Sequence, residues 1–142
     1  MARIKLELPE TFTFSTLLPI RITDVNYGGH VGNDTILSLL HEARMQYLKH
    51  YGYSELDMDG VSLIMGDVAI EFKNEVFYGN TLRAYVTAFD FSRVSFDLAY
   101  MLVNEGDEKV VALAKTGMIC FDYNKRKTAS VPEVVKEKLS GI

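Results

Sequence analysis

From Asp67 to Asp122 the chain alternates apolar and polar residues through four segments separated by short turn signals, and only one long helical repeat precedes them. Val68, Ile70 and Phe72 alternate with Asp67, Ala69, Glu71 and Lys73. After the turn signal Gly79-Asn80, the set Leu82, Ala84, Val86 and Ala88 alternates with Arg83, Tyr85, Thr87 and Phe89. The chain turns at Asp90 to Arg93, and Val94, Phe96, Leu98, Tyr100 and Leu102 form the next set. Asn104-Glu105-Gly106-Asp107 reads as a hairpin loop, and a long strand over about Lys109 to Asp122 follows it. Period two marks strands with one buried face. Strands joined by connections this short pair antiparallel.

The helical repeat spans about Asn33 to Tyr51. Ile36, Leu39, Leu40, Ala43 and Tyr47 recur at helical spacing, while Leu37, Leu48 and Tyr51 widen the apolar surface beyond one stripe. Such a helix is wrapped by other structure. Asn33 or Asp34 is expected to cap its start, and Gly52 its end. A strand over about Phe12 to Ile22 precedes it, and a short helix over Pro132 to Leu139 closes the chain, with proline in its first turn. The predicted order is strand, long helix, four strands. A curved, five-stranded antiparallel sheet wrapped around the helix satisfies that order, which is an α+β, hot-dog architecture. The open sheet edges favour edge-to-edge pairing of two copies.

With 142 residues, the chain has room for one domain spanning 1–142 and no second. Its 48% hydrophobic and 24% charged content is that of a chain able to bury a core rather than remain disordered. A net charge of -4 without a basic stripe disfavours a nucleic-acid binder. Cys120 is the only cysteine, which excludes an intramolecular disulfide and a cysteine-rich zinc site and fits a reducing compartment. Met1 to Glu10 shows no apolar targeting core, and no run is long and apolar enough for a membrane span. A soluble, cytoplasmic protein that uses neither membrane nor nucleic acid is expected.

The chemistry is expected between the first strand and the helix, where Asp24-Val25-Asn26-Tyr27-Gly28-Gly29-His30-Val31-Gly32-Asn33 combines polar side chains with three glycines. A strand-to-helix junction of this kind exposes backbone amides at the positive end of the helix dipole, where a developing oxyanion is stabilised. The amides of Gly32 to Asp34 are the candidates. A glycine loop that only caps a helix is the plain alternative.

This run resembles the D-x-D-x-x-G-H-V-x-N junction of hot-dog acyl-CoA thioesterases of the 4-hydroxybenzoyl-CoA type. Glu42-Ala43-Arg44 is similar to the E-x-A-R sequence inside that family's helix. Phe72 to Leu82 resembles its second strand and Gly-Asp-x-Leu turn, and Phe121 to Glu133 its last strand, basic turn and proline-led tail. The resemblance covers about residues 12 to 135. It implies hydrolysis of an acyl-CoA or acyl-ACP thioester in a homodimer or homotetramer, with active sites at subunit interfaces and no cofactor. One position departs from the pattern. The family's catalytic carboxylate, the second Asp of D-x-D, corresponds to Asn26. An amide cannot take a proton from water or form an acyl anhydride, although it can orient water.

The remaining candidates follow from residue chemistry and this resemblance together. His30 and Glu42 are the candidate bases. Against these roles, His30 can simply hold the loop, and Glu42 shares a solvated stripe with Ser38, Gln46 and Lys49. Asp24 is expected to bond loop amides. Asp34 caps, or touches water at the helix mouth. Tyr27 lines the pocket or packs. Arg93 and Lys125-Arg126-Lys127 are candidate phosphate contacts, or solvated turn residues. Cys120 is expected to be a buried, unreactive thiol. His41 and His50 lack the acidic partners of a metal site. No Walker loop, dinucleotide fingerprint or G-x-S-x-G elbow occurs. A non-catalytic acyl-thioester binder, which Asn26 would explain, and an acyl-thioester dehydratase are the alternative functions.

Overall fold

The structure, a computed structural model, describes residues 3–141. Five long strands form one antiparallel sheet: β1 (Phe14–Pro19), β2 (Ser62–Phe72), β3 (Thr81–Phe89), β4 (Ser95–Asn104) and β5 (Val110–Asp122). The spatial order is β1-β3-β4-β5-β2. A two-residue β6 (Lys127–Thr128) pairs with the end of β5 and makes a sixth, minor strand that the sequence pattern is too short to register. Helix α1 (Asn33–His50) lies between β1 and β2 in the chain, and α2 (Glu133–Leu139) closes it.

The period-two sets of β3 and β4 are core, whereas Val68 and Phe72 of the β2 set are exposed. Leu82, Ala84 and Val86 of β3 and Phe96, Leu98, Tyr100 and Leu102 of β4 are fully buried. They pack with Leu40, Ala43, Tyr47 and Leu48 of α1, all likewise without exposed surface. Truncating one of these leucines to alanine costs about 2–5 kcal/mol, because the rigid surroundings close only part of the cavity. The two ends of the expected first strand, 12–13 and 20–22, fall outside β1. Ile22–Asp24 instead form a 3-10 turn, in which the Asp24 carboxylate accepts the Arg21 backbone N–H at 2.8 Å. Asp24 is thus the loop-bonding residue expected, and it is buried.

The sheet register locates everything else. Pro19 pairs with Thr81, Leu82 with Asn104, Val103 with Val110 and Phe72 with Ala112, so these residues share one end of the sheet. The loop before α1 leaves β1 at that end. The β3–β4 turn and the start of β2 lie at the other.

An ionic cluster lies beneath α1. Arg44 Nε donates to Glu55 Oε1 at 2.7 Å, Arg44 Nη1 donates to Tyr100 Oη at 3.2 Å, and Tyr100 Oη lies 2.8 Å from Thr116 Oγ1. Burial works against the Arg44 charge, but contact with Tyr100 and Glu55 outweighs it and holds the guanidinium above its ordinary pKa. Desolvation pushes the Tyr100 hydroxyl up. Arg44 is therefore an internal strut of the fold.

Candidate active site

Residues 25–31 form a tight loop tied to the segment that follows β2. Val25 and Val31 bridge each other, and His30 bridges Phe77. Val31 N–H donates to Val76 O at 2.8 Å, and Asn26 N–H to His30 O at 2.9 Å. Asn26 Oδ1 accepts the Gly28 N–H at 2.9 Å, closing an Asx turn. The Asn26 oxygen is thereby occupied, while its Nδ2 donates to no group among the described residues.

The two flanking glycines are sites of close approach. A Cβ on Gly28 would stand 3.3 Å from His30 Nε2 and 3.4 Å from Asn26 Oδ1. A Cβ on Gly32 would stand 2.7 Å from Asp34 Oδ1 and 3.7 Å from Asn26 Nδ2. Asn26, His30 and Asp34 are thus brought together around these two backbones. His30 Nδ1 lies 3.3 Å from the Val31 carbonyl, which can only accept, so Nδ1 is the donor in this contact.

Gly32 is the N-cap of α1, and no side chain caps the helix. This corrects the expectation that Asn33 or Asp34 does so. Their backbone geometry is already helical, one and two residues too late to turn a side chain onto the first amides. The N–H groups of Thr35 and Ile36 donate to Gly32 O. The Gly32 N–H faces the Asp24 carbonyl across the Val25–Val31 bridge, and those of Asn33 and Asp34 meet no acceptor among the described residues, as a helix start dictates. Beside them lies a cleft of about 230 Å³, lined by His30, Asn33, Phe72, Lys73, Glu75 and Val76 among others. Donors of this kind at the positive end of a helix can hold a carbonyl oxygen as it gains negative charge.

Lys73 and Glu75 lie in the run that resembles the family's second strand, but nothing local in that run marks them as site residues. Only the Val31–Val76 contact shows that they face the junction.

The other sequence candidates lie elsewhere within the protomer. Glu42 is exposed, and its Oε2 accepts from Gln46 Nε2 at 2.9 Å. Counting 1.5 Å per residue, it is about 12 Å along the axis from Asp34. Tyr27 is fully exposed and does not pack within the protomer, because the Asx turn points it away from the core. Arg93 lies in the β3–β4 turn at the opposite end of the sheet, about 30 Å away at some 3.3 Å per strand residue. There it lines a groove with Ser92, Ser130, Glu133 and Lys136. Lys125 to Lys127 are exposed at that same end.

Cys120 is buried and free, and desolvation pushes its thiol up to about 11. Among the described residues, no three His, Cys, Asp or Glu side chains group as metal ligands, and no helix is long and apolar enough to cross a membrane.

Comparison with known proteins identifies the family and the fold. A 1,4-dihydroxy-2-naphthoyl-CoA hydrolase of Thermosynechococcus vestitus is 25% identical over 117 residues, covering 80% of each chain. A solved 1,4-dihydroxy-2-naphthoyl-CoA thioesterase from Synechocystis superposes with a TM-score of 0.80 at 21% identity, covering 90% of this chain and 95% of its own. A DHNA-CoA thioesterase from Staphylococcus aureus gives 0.79 at 18%, covering 89% and 90%. Residues 20–139 match the thioesterase-like superfamily. The chain belongs to that superfamily, and its sheet-wrapped helix is the superfamily's hot-dog fold.

Proposed function

We propose that this protein hydrolyses an acyl thioester, with CoA as the preferred carrier and ACP as the alternative. The observation that carries the reading is the pair of unpaired amides at Asn33 and Asp34, beside Gly32 and the free Asn26 Nδ2. A thioester carbonyl seated there has its oxygen at the donors and its carbon open to water from the cleft. Removing one such donor from an oxyanion site typically costs 10²–10³-fold in rate. Asn26 orients water, and His30 holds the loop around Gly28. The naphthoyl-CoA activity of the relatives supports an aromatic or other CoA thioester as substrate.

A second copy of the chain completes the site in this reading. Among the described residues β2 pairs only with β5, and its Met65, Val68 and Phe72 are exposed, as an edge that meets another copy requires. Glu42, on the exposed face of α1, reaches a thioester only across such an interface. A basic end of a partner, carrying Arg93 and Lys125 to Lys127, is then available to phosphates. The cytoplasm, where free CoA thioesters and a reduced Cys120 coexist, is the compartment this reading favours.

The test is thiol release from short, medium, long and aromatic acyl-CoAs, with His30→Ala and Glu42→Ala as controls. Turnover of at least one thioester, lowered in His30→Ala, is expected. Saturable acyl-CoA binding with no turnover would instead favour a non-catalytic binder. Hydration of an enoyl thioester without thiol release would identify a dehydratase.

A further inference from the structure

Attack of water on a thioester carbonyl needs an acceptor for one proton. Asn26 cannot be that acceptor, since an amide nitrogen is not basic and its oxygen is already bonded to Gly28 N–H. Glu42 lies too far along α1 in the same protomer. Glu75 lines the cleft, a second copy's Glu42 comes only across the proposed interface, and Asp34 stands in the first turn of the helix itself. Asp34 Oδ1 folds back over Gly32, and Asn26 Nδ2 approaches the same point from the other side. The two side chains therefore converge on the space where residue 32 lacks a methyl group.

Asp34 is exposed in the first turn of α1, where a carboxylate complements the helix dipole, but no hydrogen bond or ion pair fixes it among the described residues. Gly32 makes the N-cap without a side-chain bond. A side chain at position 32 would collide with it, so the glycine there keeps the path from Asp34 to Asn26 open.

We propose that Asp34 is the proton acceptor for the attacking water, an assignment that rests on the thioesterase reading above. The water oxygen bonds to the carbonyl carbon while its proton passes to Asp34. The carbonyl electron pair moves onto oxygen, where the amides of Asn33 and Asp34 receive it. Collapse of that intermediate re-forms C=O and breaks the C–S bond, and the proton held by Asp34 goes to the departing sulfur. One water and one thioester yield one carboxylic acid and one thiol, and no other reactant is required. Asn26 acts as a positioning residue, its Nδ2 donating to the water that Asp34 deprotonates.

The experiment measures thiol release and its pH dependence for the wild type, Asp34→Asn, Asp34→Ser, Asn26→Asp/Asp34→Asn and Glu75→Gln, with thermal melting of each. The acyl-CoA is the one the wild type turns over fastest. Asp34→Asn is expected to lower kcat by about 10²–10³-fold, within the range of general-base catalysis, and to leave KM within about threefold. Its residual activity should lack the acid limb of the wild-type profile, a change that a merely structural role would not produce. Asp34→Ser should show the same loss, which keeps the test valid if Asn disturbs folding. Placing a carboxylate at position 26 in the Asp34→Asn background should restore at least about tenfold, because it faces the same gap.

Wild-type kcat in folded Asp34→Asn, alongside wild-type turnover, would overturn the assignment and leave the thioesterase reading intact. Loss of kcat and of the acid limb in Glu75→Gln alone would transfer the role to Glu75. A wild type inert on every thioester would overturn both readings.

Discussion

Arg44 Nη1 donates to Tyr100 Oη at 3.2 Å in the interior, joining the middle of α1 to the middle of β4. Arg44 is buried, and its other partner, Glu55, is only a quarter exposed. Removing the guanidinium takes one bond from each partner, leaving Tyr100 with Thr116 and Glu55 with His41, and empties buried volume, so Arg44→Ala should destabilise by about 3 kcal/mol. In a domain of this size that lowers Tm by roughly 10 °C. Thermal and denaturant melting check this, and a loss below about 1 kcal/mol would show that Glu55 and Tyr100 rehydrate freely.

Gly32→Ala should inactivate without unfolding. The added methyl stands 2.7 Å from Asp34 Oδ1 and pushes the carboxylate off the helix mouth. The backbone at Gly32 has φ -74°, which alanine accepts. A fall in kcat of at least about tenfold with a Tm change below about 3 °C is expected from displacement of a reacting group and loss of a glycine N-cap. Unchanged kcat would show that the gap over residue 32 has no part in turnover.

Cys120 should resist thiol reagents in the native state. Burial raises its pKa from 9.0 to about 11, so the folded chain holds the thiol proton more tightly than the unfolded chain does. The resulting stabilisation is present below pH 9.0 and is lost as the pH rises toward about 11. An aromatic disulfide reagent at pH 8 should titrate no thiol in the native protein and one after denaturation. Denaturant midpoints should fall above pH 9, with a shallower fall in Cys120→Ala. Rapid native labelling would contradict the burial.

Val68→Asp should separate two copies. Val68 is exposed at 39% in the middle of the unpaired edge strand, and a carboxylate there faces its counterpart when two β2 strands meet. Sedimentation should show a dimer or tetramer for the wild type and a monomer for the variant. A wild-type monomer would remove the second copy from the site.

Much of the fold was legible because burial alternation is a local property. The sets at Leu82 to Ala88 and Phe96 to Leu102 declare their inward faces over a few residues, and α1 runs from Asn33 as its spacing predicts. The first half of β2 was not legible. Ser62 to Met65 lacks the alternation, and the register shifts between Met65 and Asp67, which breaks period two. Arg44 falls in a helical motif that resembles the family's, but its burial depends on Tyr100, more than fifty residues away.

The candidate site divides along the same line. The sequence by itself determined the junction: glycines, an amide and an imidazole ahead of a helix whose first amides must go unpaired, because hydrogen bonding to the fourth residue back fails at any helix start. Only the tertiary structure decided which distant groups meet it. The contact of Val31 with Val76 brings Lys73 and Glu75 to the cleft, the strand register sends Arg93 to the far end, and Asp34 folds over Gly32 toward Asn26. Such placements arise from the summed packing of the whole sheet against α1, and no short window of residues contains that sum.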